Sequence, residues 1–461
     1  MKIAIIGAGP GGYVAAIRAA QMGAEVTVIE NTEVGGTCLN RGCIPTKALL
    51  ACAEALDRVK HADEFGIEIG GEITARLDKI MARKDKVVST QVKGIRGLFK
   101  SWGVTLVEGR GRIRPDRSIE VELKGGGARD VTADAIIIAT GSRPAQIPVF
   151  PFDGDKIISS DEALNLQTVP SSLLIIGAGV IGCEFAFIYK ELGSDVTMIE
   201  MMSRAVATED PEISETLERE LKKKKIKLIK DIKTEKVELT DAGVKAYLSD
   251  GKTVEAEKML VSIGRAVNSE SIGLLEAGVA LGNRGQILVD DRMKTNIDGI
   301  YAIGDVTGGI MLAHVASKQG LIAVENIMGH DARMKYDVVP AAIFTHPEIG
   351  SVGLREHQCA DKGLAVRIGR FQFRALGKAH AMGEIAGMIK VISDADTDKV
   401  LGVHIVGPHA SDLVHEAAIA METGATAKQI AETIHAHPTL AEGIMEACED
   451  VHGMAVHAPK K

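Results

Sequence analysis

Apolar residues come in short blocks along the chain, and two of those blocks read alike. In residues 3–30, IAIIGAGPGGYVAAIRAAQMGAEVTVIE, an apolar run enters a glycine-rich turn. Helix-spaced apolar positions follow, and an alternating segment closes the unit on an acid. Residues 173–200, LLIIGAGVIGCEFAFIYKELGSDVTMIE, repeat the pattern 170 positions later. Each copy predicts strand, turn, helix and strand. Further strands are expected at AIIIATGSRP (135–144), which ends in a Thr-Gly turn, and at GIYAIGDVTGGIMLAH (299–314). TKALLACAEALDRVK and RLDKIMARKDKVV predict amphipathic helices. From about 336, YDVVPAAIFTHPEIGSVGL opens a different texture of strands and helices with no glycine-rich turn.

The repeated unit is α/β and carries chemistry. Gly7, Gly9 and Gly12 map onto Gly177, Gly179 and Gly182, and Glu30 maps onto Glu200. The first glycine permits the tight turn, the second lets a pyrophosphate approach the backbone, and the third brings helix and strand together. The helix N-terminus offers free N–H groups to phosphates, and the acid accepts from ribose hydroxyls. Two full copies predict two Rossmann-like dinucleotide sites. Glu200 repels a 2′-phosphate, with only Arg204 nearby to offset it, so the second site is expected to take NAD. The first copy leads within a few residues into two cysteines, which points to FAD there.

Those cysteines stand in GGTCLNRGCIPTK (35–47), as Cys38 and Cys43. Pro45 suits a first helical turn, so Cys43 is expected at a helix N-terminus with Lys47 one turn on, both favouring a thiolate. Gly42 and Gly35–Gly36 supply the freedom of a short loop. A structural disulfide closing so small a loop adds little, and a zinc site lacks a second close pair. A redox pair is the expectation, with no metal, and Cys52, Cys183, Cys359 and Cys448 are read as packing residues.

The rest of the composition bounds the setting. A chain of 461 residues exceeds one core and implies about three domains. A net charge of −8 argues against nucleic-acid binding, and no apolar run is long enough to span a membrane. The opening directly on a strand predicts no leader peptide, and six scattered cysteines predict a reducing cytoplasm. In ERELKKKKIKLIK (218–230), acids at 209–215 precede lysines, as a solvated helix complementing its own dipole would have them. Asp305 lies just beyond a strand, where an N-cap is an alternative to a ligand. In HAHPTLAEG (435–443), His437 and Glu442 have the spacing of a base and its orienting carboxylate, and on spacing alone an exposed loop serves as well.

Taken together and in this order, GGTCLNRGCIPTK, the paired glycine motifs, ATG, AIGDV, FTHPEIGSVG and HAHPTLAE resemble the pyridine nucleotide–disulfide oxidoreductases across essentially the whole chain. The resemblance implies an FAD domain at 1–145 completed by a central domain at 265–335. It implies an NAD domain at 146–264 and a C-terminal α+β dimerisation domain at 336–461. It further implies oxidation of a protein-bound dihydrolipoyl group by NAD+. In that reading Cys38 exchanges with substrate, Cys43 faces the flavin, and His437 with Glu442 deprotonates the substrate thiol. Lys47 and Glu184 pair beside the flavin. Glu30, Thr140, Gly141, Asp305 and Ala313 hold FAD, and Gly264 joins the NAD site. The partners implied are a second copy of the chain, whose histidine completes the site, and a lipoyl-bearing acyltransferase or glycine-cleavage carrier, since the chain has no lipoyl module of its own. With 3% aromatic residues, aliphatic side chains are expected around the flavin. The rivals are a glutathione-type disulfide reductase, a mercuric reductase (disfavoured by a solitary Cys448) and a flavin-bearing structural subunit.

Overall fold

The computed structural model describes residues 1–459, so the last two positions of the expected 336–461 domain lie outside it. Strand Lys2–Ile6 lies in the interior of a seven-stranded sheet. It pairs in parallel with Glu25–Glu30 on one side and Ala135–Ile138 on the other. Both faces of Lys2–Ile6 and Ala135–Ile138 are covered, which is why these two read as nearly unbroken apolar runs, whereas Glu25–Glu30 alternates. Strand Ile300–Ala302 returns from far along the chain to the edge beside Ala135–Ile138. Its following helix, Ala313–Ile327, packs on helix Pro10–Gln21. A Cβ on Gly320 would stand 2.7 Å from the Gly11 carbonyl oxygen, so the contact is nearly backbone on backbone.

The second copy repeats this plan down to the register. Lys2 faces Glu25 in the first sheet, and Ser172 faces Asp195 in the second. Its five strands run in the order Lys227–Ile229, Asp195–Ile199, Ser172–Ile176, Lys258–Val261, Ile157–Ile158. Two connections join this module to the first, and they lie side by side as antiparallel strands Ser142–Pro144 and Arg265–Val267.

A third body is built on an antiparallel sheet ordered Ala341–Ile343, Glu348–Gly353, Val400–Gly407, Met388–Asp394, Val366–Gln372. Helices Ala410–Glu422 and Glu442–Val451 pack against it. The amphipathic segment after residue 76 forms one long helix, Leu77–Ser101. Among the described residues no helix is long and apolar enough to cross a membrane.

The acid-then-lysine segment departs from the expected solvated helix at both ends. Helix Pro211–Lys223 is capped by the Asp210 side chain, but Asp210 is fully buried. Lys224 turns inward to Asp57 at 2.6 Å and Glu191 at 2.7 Å. Charge order satisfied the helix dipole, and tertiary packing then reused the same charges. Of the four cysteines read as packing residues, Cys183, Cys359 and Cys448 are buried, whereas Cys52 is half-buried beside Arg83.

Candidate active site

The cysteines sit on two helices rather than in a loop. Gly36–Arg41 carries Cys38, and Cys43–Lys60 begins at Cys43. Asn40 Nδ2 donates to the Val34 and Gly36 carbonyls, which winds the first segment into a turn of helix. Gly42 separates the two: a Cβ there would meet the Thr37 carbonyl oxygen at 3.0 Å and Cys38 Cα at 3.3 Å.

Both cysteines are free thiols, near 3.0 Å apart. The Cys38 thiol donates toward the Cys43 sulfur and stabilises a thiolate there. Desolvation opposes this, Lys47 assists and Glu184 resists, and the balance lowers Cys43 from 9.0 to about 7. The same contact, with burial, raises Cys38. The contact thus favours negative charge on Cys43, at the helix N-terminus, over Cys38.

Lys47 Nζ reaches Glu184 at 2.8 and 2.9 Å and lies 4.5 Å from the centre of the Phe344 ring. Glu184 is almost fully buried in helix Val180–Leu192, and the Phe344 amide donates to it at 3.0 Å. All three bodies of the chain therefore meet one helical turn from Cys43.

A cleft of about 1330 Å³ runs from this point to the first glycine turn. Gly7, Gly9, Glu30, Lys47 and both cysteines line it, as do Thr140, Gly141, Asp305 and Ala313, while Gly12 lies beneath the turn. Gly7 has φ +107°, and a Cβ on Gly12 would stand 1.9 Å from the Gly7 oxygen. The helices starting at Pro10 and Ala313 both lack a side-chain cap, leaving their amides for a ligand. Asp305 is not an N-cap: the cap position of its short helix is Ile303, and its carboxylate accepts from Ser142, which Arg265 also contacts. Aliphatic residues such as Ile6, Ile29 and Ile44 dominate the apolar lining, with Phe185 and Phe344 the aromatic exceptions. Length, uncapped amides and a terminal acid fit FAD.

At the second turn, Gly177 has φ +95° and a Cβ on Gly182 would lie 2.0 Å from the Gly177 oxygen, whereas one on Gly179 would meet nothing within 4 Å. Gly179 therefore borders open space at an uncapped helix start. Val180 and Ile263, beside Gly264, expose apolar surface around it. These features fit a second dinucleotide. The two acids are held alike: Ala8 and Thr32 amides donate to Glu30, and Ala178 and Met202 amides donate to Glu200. Arg204 is turned away onto the Ala207 and Glu209 carbonyls.

His437 Nδ1 and Glu442 Oε1 are 2.9 Å apart, with Thr439 N–H on the other carboxylate oxygen. Burial pushes the Glu442 carboxyl up, but the Thr439 amide and His437 outweigh it and hold it below the usual range. The pair does not line the cleft, and the His437 ring is 77% exposed. Within one chain the dyad and the cysteines stay apart. Phe344, Arg265 and Asn268, whose amide and carbonyl bind Thr140 and Gly141, had no role assigned from sequence, although ATGSRP and SIGRAVN contain their partners or neighbours.

Residues 1–320 match the pyridine nucleotide-disulphide oxidoreductase family, and residues 339–448 match that family's dimerisation domain. The chain belongs to the pyridine nucleotide-disulphide oxidoreductases. Members of this family use FAD and NAD. Among relatives in it, a dihydrolipoyl dehydrogenase of Chlamydia trachomatis is 44% identical, covering 99% of this chain and 97% of that protein. One from Bacillus subtilis is 43% identical over 99% and 98% of the two chains. In structure, the fold matches LpdA from Mycobacterium tuberculosis with a TM-score of 0.92 and 31% identity, covering 97% of this chain and 99% of that one. It also matches the HOCl-induced flavoprotein disulfide reductase RclA from Escherichia coli, with a TM-score of 0.88 and 25% identity, over 97% and 98%.

Proposed function

We propose that the protein oxidises a protein-bound dihydrolipoyl group to the lipoyl disulfide with NAD+. The observation that carries this reading is the thiol pair, near 3.0 Å apart at the start of helix Cys43–Lys60, one turn from the Lys47–Glu184 ion pair and in the cleft that leads to the first glycine turn. The full-length likeness to dihydrolipoyl dehydrogenases supports the substrate class.

In the oxidised protein Cys38 and Cys43 form a disulfide. A substrate thiolate attacks Cys38, breaks that bond and releases Cys43 as a thiolate; the second substrate thiol then displaces Cys38 and closes the lipoyl ring. Two electrons and two protons leave the dithiol. His437 Nε2 removes the thiol proton, and Glu442 on Nδ1 fixes the ring and stabilises its cation. Lys47 stabilises the Cys43 thiolate, and Glu184 holds Lys47 in place. Bound FAD would supply the two-electron redox chemistry that links the cysteine pair to NAD+. Glu30, Thr140, Gly141, Asp305, the Ala313 amide and the Gly7–Gly12 turn hold FAD. Gly177, Gly179, Gly182, Glu200 and Gly264 hold NAD, and the withdrawn Arg204 leaves no cation for a 2′-phosphate.

The exposed dyad belongs in this reading to the cleft of a second copy, making the active unit a homodimer. Residues 1–145 with 265–335 form the flavin part, 146–264 the NAD part, and 336–461 the interface. A lipoyl-bearing protein is the partner. The test is anaerobic mixing with dihydrolipoamide and NAD+, following NADH. Rapid NADH formation, absent with NADP+ and with reduced glutathione, is expected. Flavin reduction by NADH without dihydrolipoamide turnover would overturn the substrate and leave a glutathione-type disulfide as the second reading.

A further inference from the structure

Lys390 is buried in the interior strand Met388–Asp394 of the antiparallel sheet, yet its partners come largely from the NAD part. Its ammonium contacts both Asp210 oxygens at 3.0 Å and Glu212 at 2.7 Å, and Glu356 of its own body at 2.6 Å. Arg370 grips Glu212 through two nitrogens, at 2.7 and 2.8 Å, and Arg355 reaches both Glu209 oxygens at 3.2 Å. Every acid from the NAD part lies at the start of one helix, Pro211–Lys223.

A buried ion cluster is a poor device for stability, because desolvation consumes most of its attraction. Its strength is direction: fork-shaped guanidinium pairs and a fully coordinated ammonium permit one relative placement. The NAD part needs such a constraint. It joins the rest of the chain through the single two-strand ribbon Ser142–Pro144 and Arg265–Val267, a hinge by construction. Lys224 with Asp57 ties it on one side, near the end of the cysteine-bearing helix. Near the reacting centre the Phe344 amide on Glu184 joins it to the antiparallel body, together with a shared apolar cluster in which Phe185, Ile188 and Leu217 sit with Leu49, Ile343, Ile349 and Val406; such apolar contact is non-directional. The Lys390 cluster supplies the lever arm.

We propose that Lys390, with Arg370 and Arg355, is a positioning residue for hydride transfer, fixing the orientation of the NAD part against the antiparallel body so that its nucleotide meets the flavin cleft at the required angle. This rests on the nucleotide assignment above. A displacement of about 1 Å at a reacting pair costs on the order of a hundredfold in rate, so a loosened module should slow hydride transfer while its own turn still binds nucleotide.

The experiment uses FAD-loaded protein and compares wild type, Lys390→Met and the neutral set Asp210→Asn/Glu212→Gln/Lys390→Met, in which all three replaced side chains are uncharged. Anaerobic rapid mixing with NADH reads hydride entry, mixing with dihydrolipoamide reads the thiol side, and titration with NAD+ reads affinity. Expected for both variants is a fall in the NADH rate of about tenfold to a hundredfold, with dithiol rate and NAD+ affinity held within about twofold and faster amide exchange across 211–223. Should Lys390→Met fail to retain FAD, the neutral set decides alone. Equal losses in both half-reactions, no loss in either, or a neutral set with the wild-type NADH rate would overturn the proposal. A wild type that reacts with the dithiol but binds no NAD+ would instead remove the nucleotide assignment, and the proposal with it.

Discussion

At Cys43 the hydrogen bond from the Cys38 thiol, then the Lys47 ammonium and the backbone amide at the helix start favour a thiolate, and desolvation and Glu184 oppose it. Because the folded value falls from 9.0 to about 7, the thiolate of the reduced protein should appear as pH rises through about 7. Ultraviolet absorbance of the thiolate checks this. Lys47→Met should move the midpoint upward, since it removes the cation and leaves Glu184 unopposed; an unmoved midpoint would deny Lys47 its role. At His437 the geometry is that of a base with an oriented ring. His437→Gln is expected to cut dihydrolipoamide turnover by about 10²–10⁴-fold with FAD content unchanged, and near-normal turnover would take His437 out of the mechanism.

The two strand–turn–helix elements were legible in the sequence because their glycines answer to local sterics. The structure puts distances on the different roles the three glycines have. Gly182→Ala drives a Cβ to 2.0 Å from the Gly177 oxygen and should disrupt the whole NAD part, seen as a lowered melting temperature. Gly179→Ala meets nothing within 4 Å in the protein, so stability should stay within about 0.5 kcal/mol while NAD+ affinity falls at least tenfold where the pyrophosphate needs that space. Equal NAD+ affinity in Gly179→Ala and wild type would contradict the assignment. The cysteine segment was less legible: its glycines suggested a loop, but the Asn40 side chain closes it into helix Gly36–Arg41.

Over the whole molecule, the exposed His437–Glu442 dyad stands apart from the thiol cleft, so in the proposed mechanism turnover depends on a second copy. Dihydrolipoamide turnover should fall with the dimer population on dilution, followed by mass photometry alongside the assay, and full activity in a demonstrated monomer would sink this. What the sequence determined by itself was whatever is encoded within a few residues: the apolar runs of the buried parallel strands, the duplicated turns, the acids at the strand ends, the Cys38–Cys43 spacing and the His437–Glu442 spacing. What only the tertiary structure decided was which distant residues meet. Glu184, Lys47 and Phe344 converge from three bodies, Asn268 supports the Thr140 turn, and Lys390 gathers the carboxylates of Asp210 and Glu212. A local pattern fixes the direction and burial of its own side chains, whereas these contacts depend on how separately folded bodies pack, and an acid that serves a helix dipole looks the same in sequence as one that also seats a buried lysine.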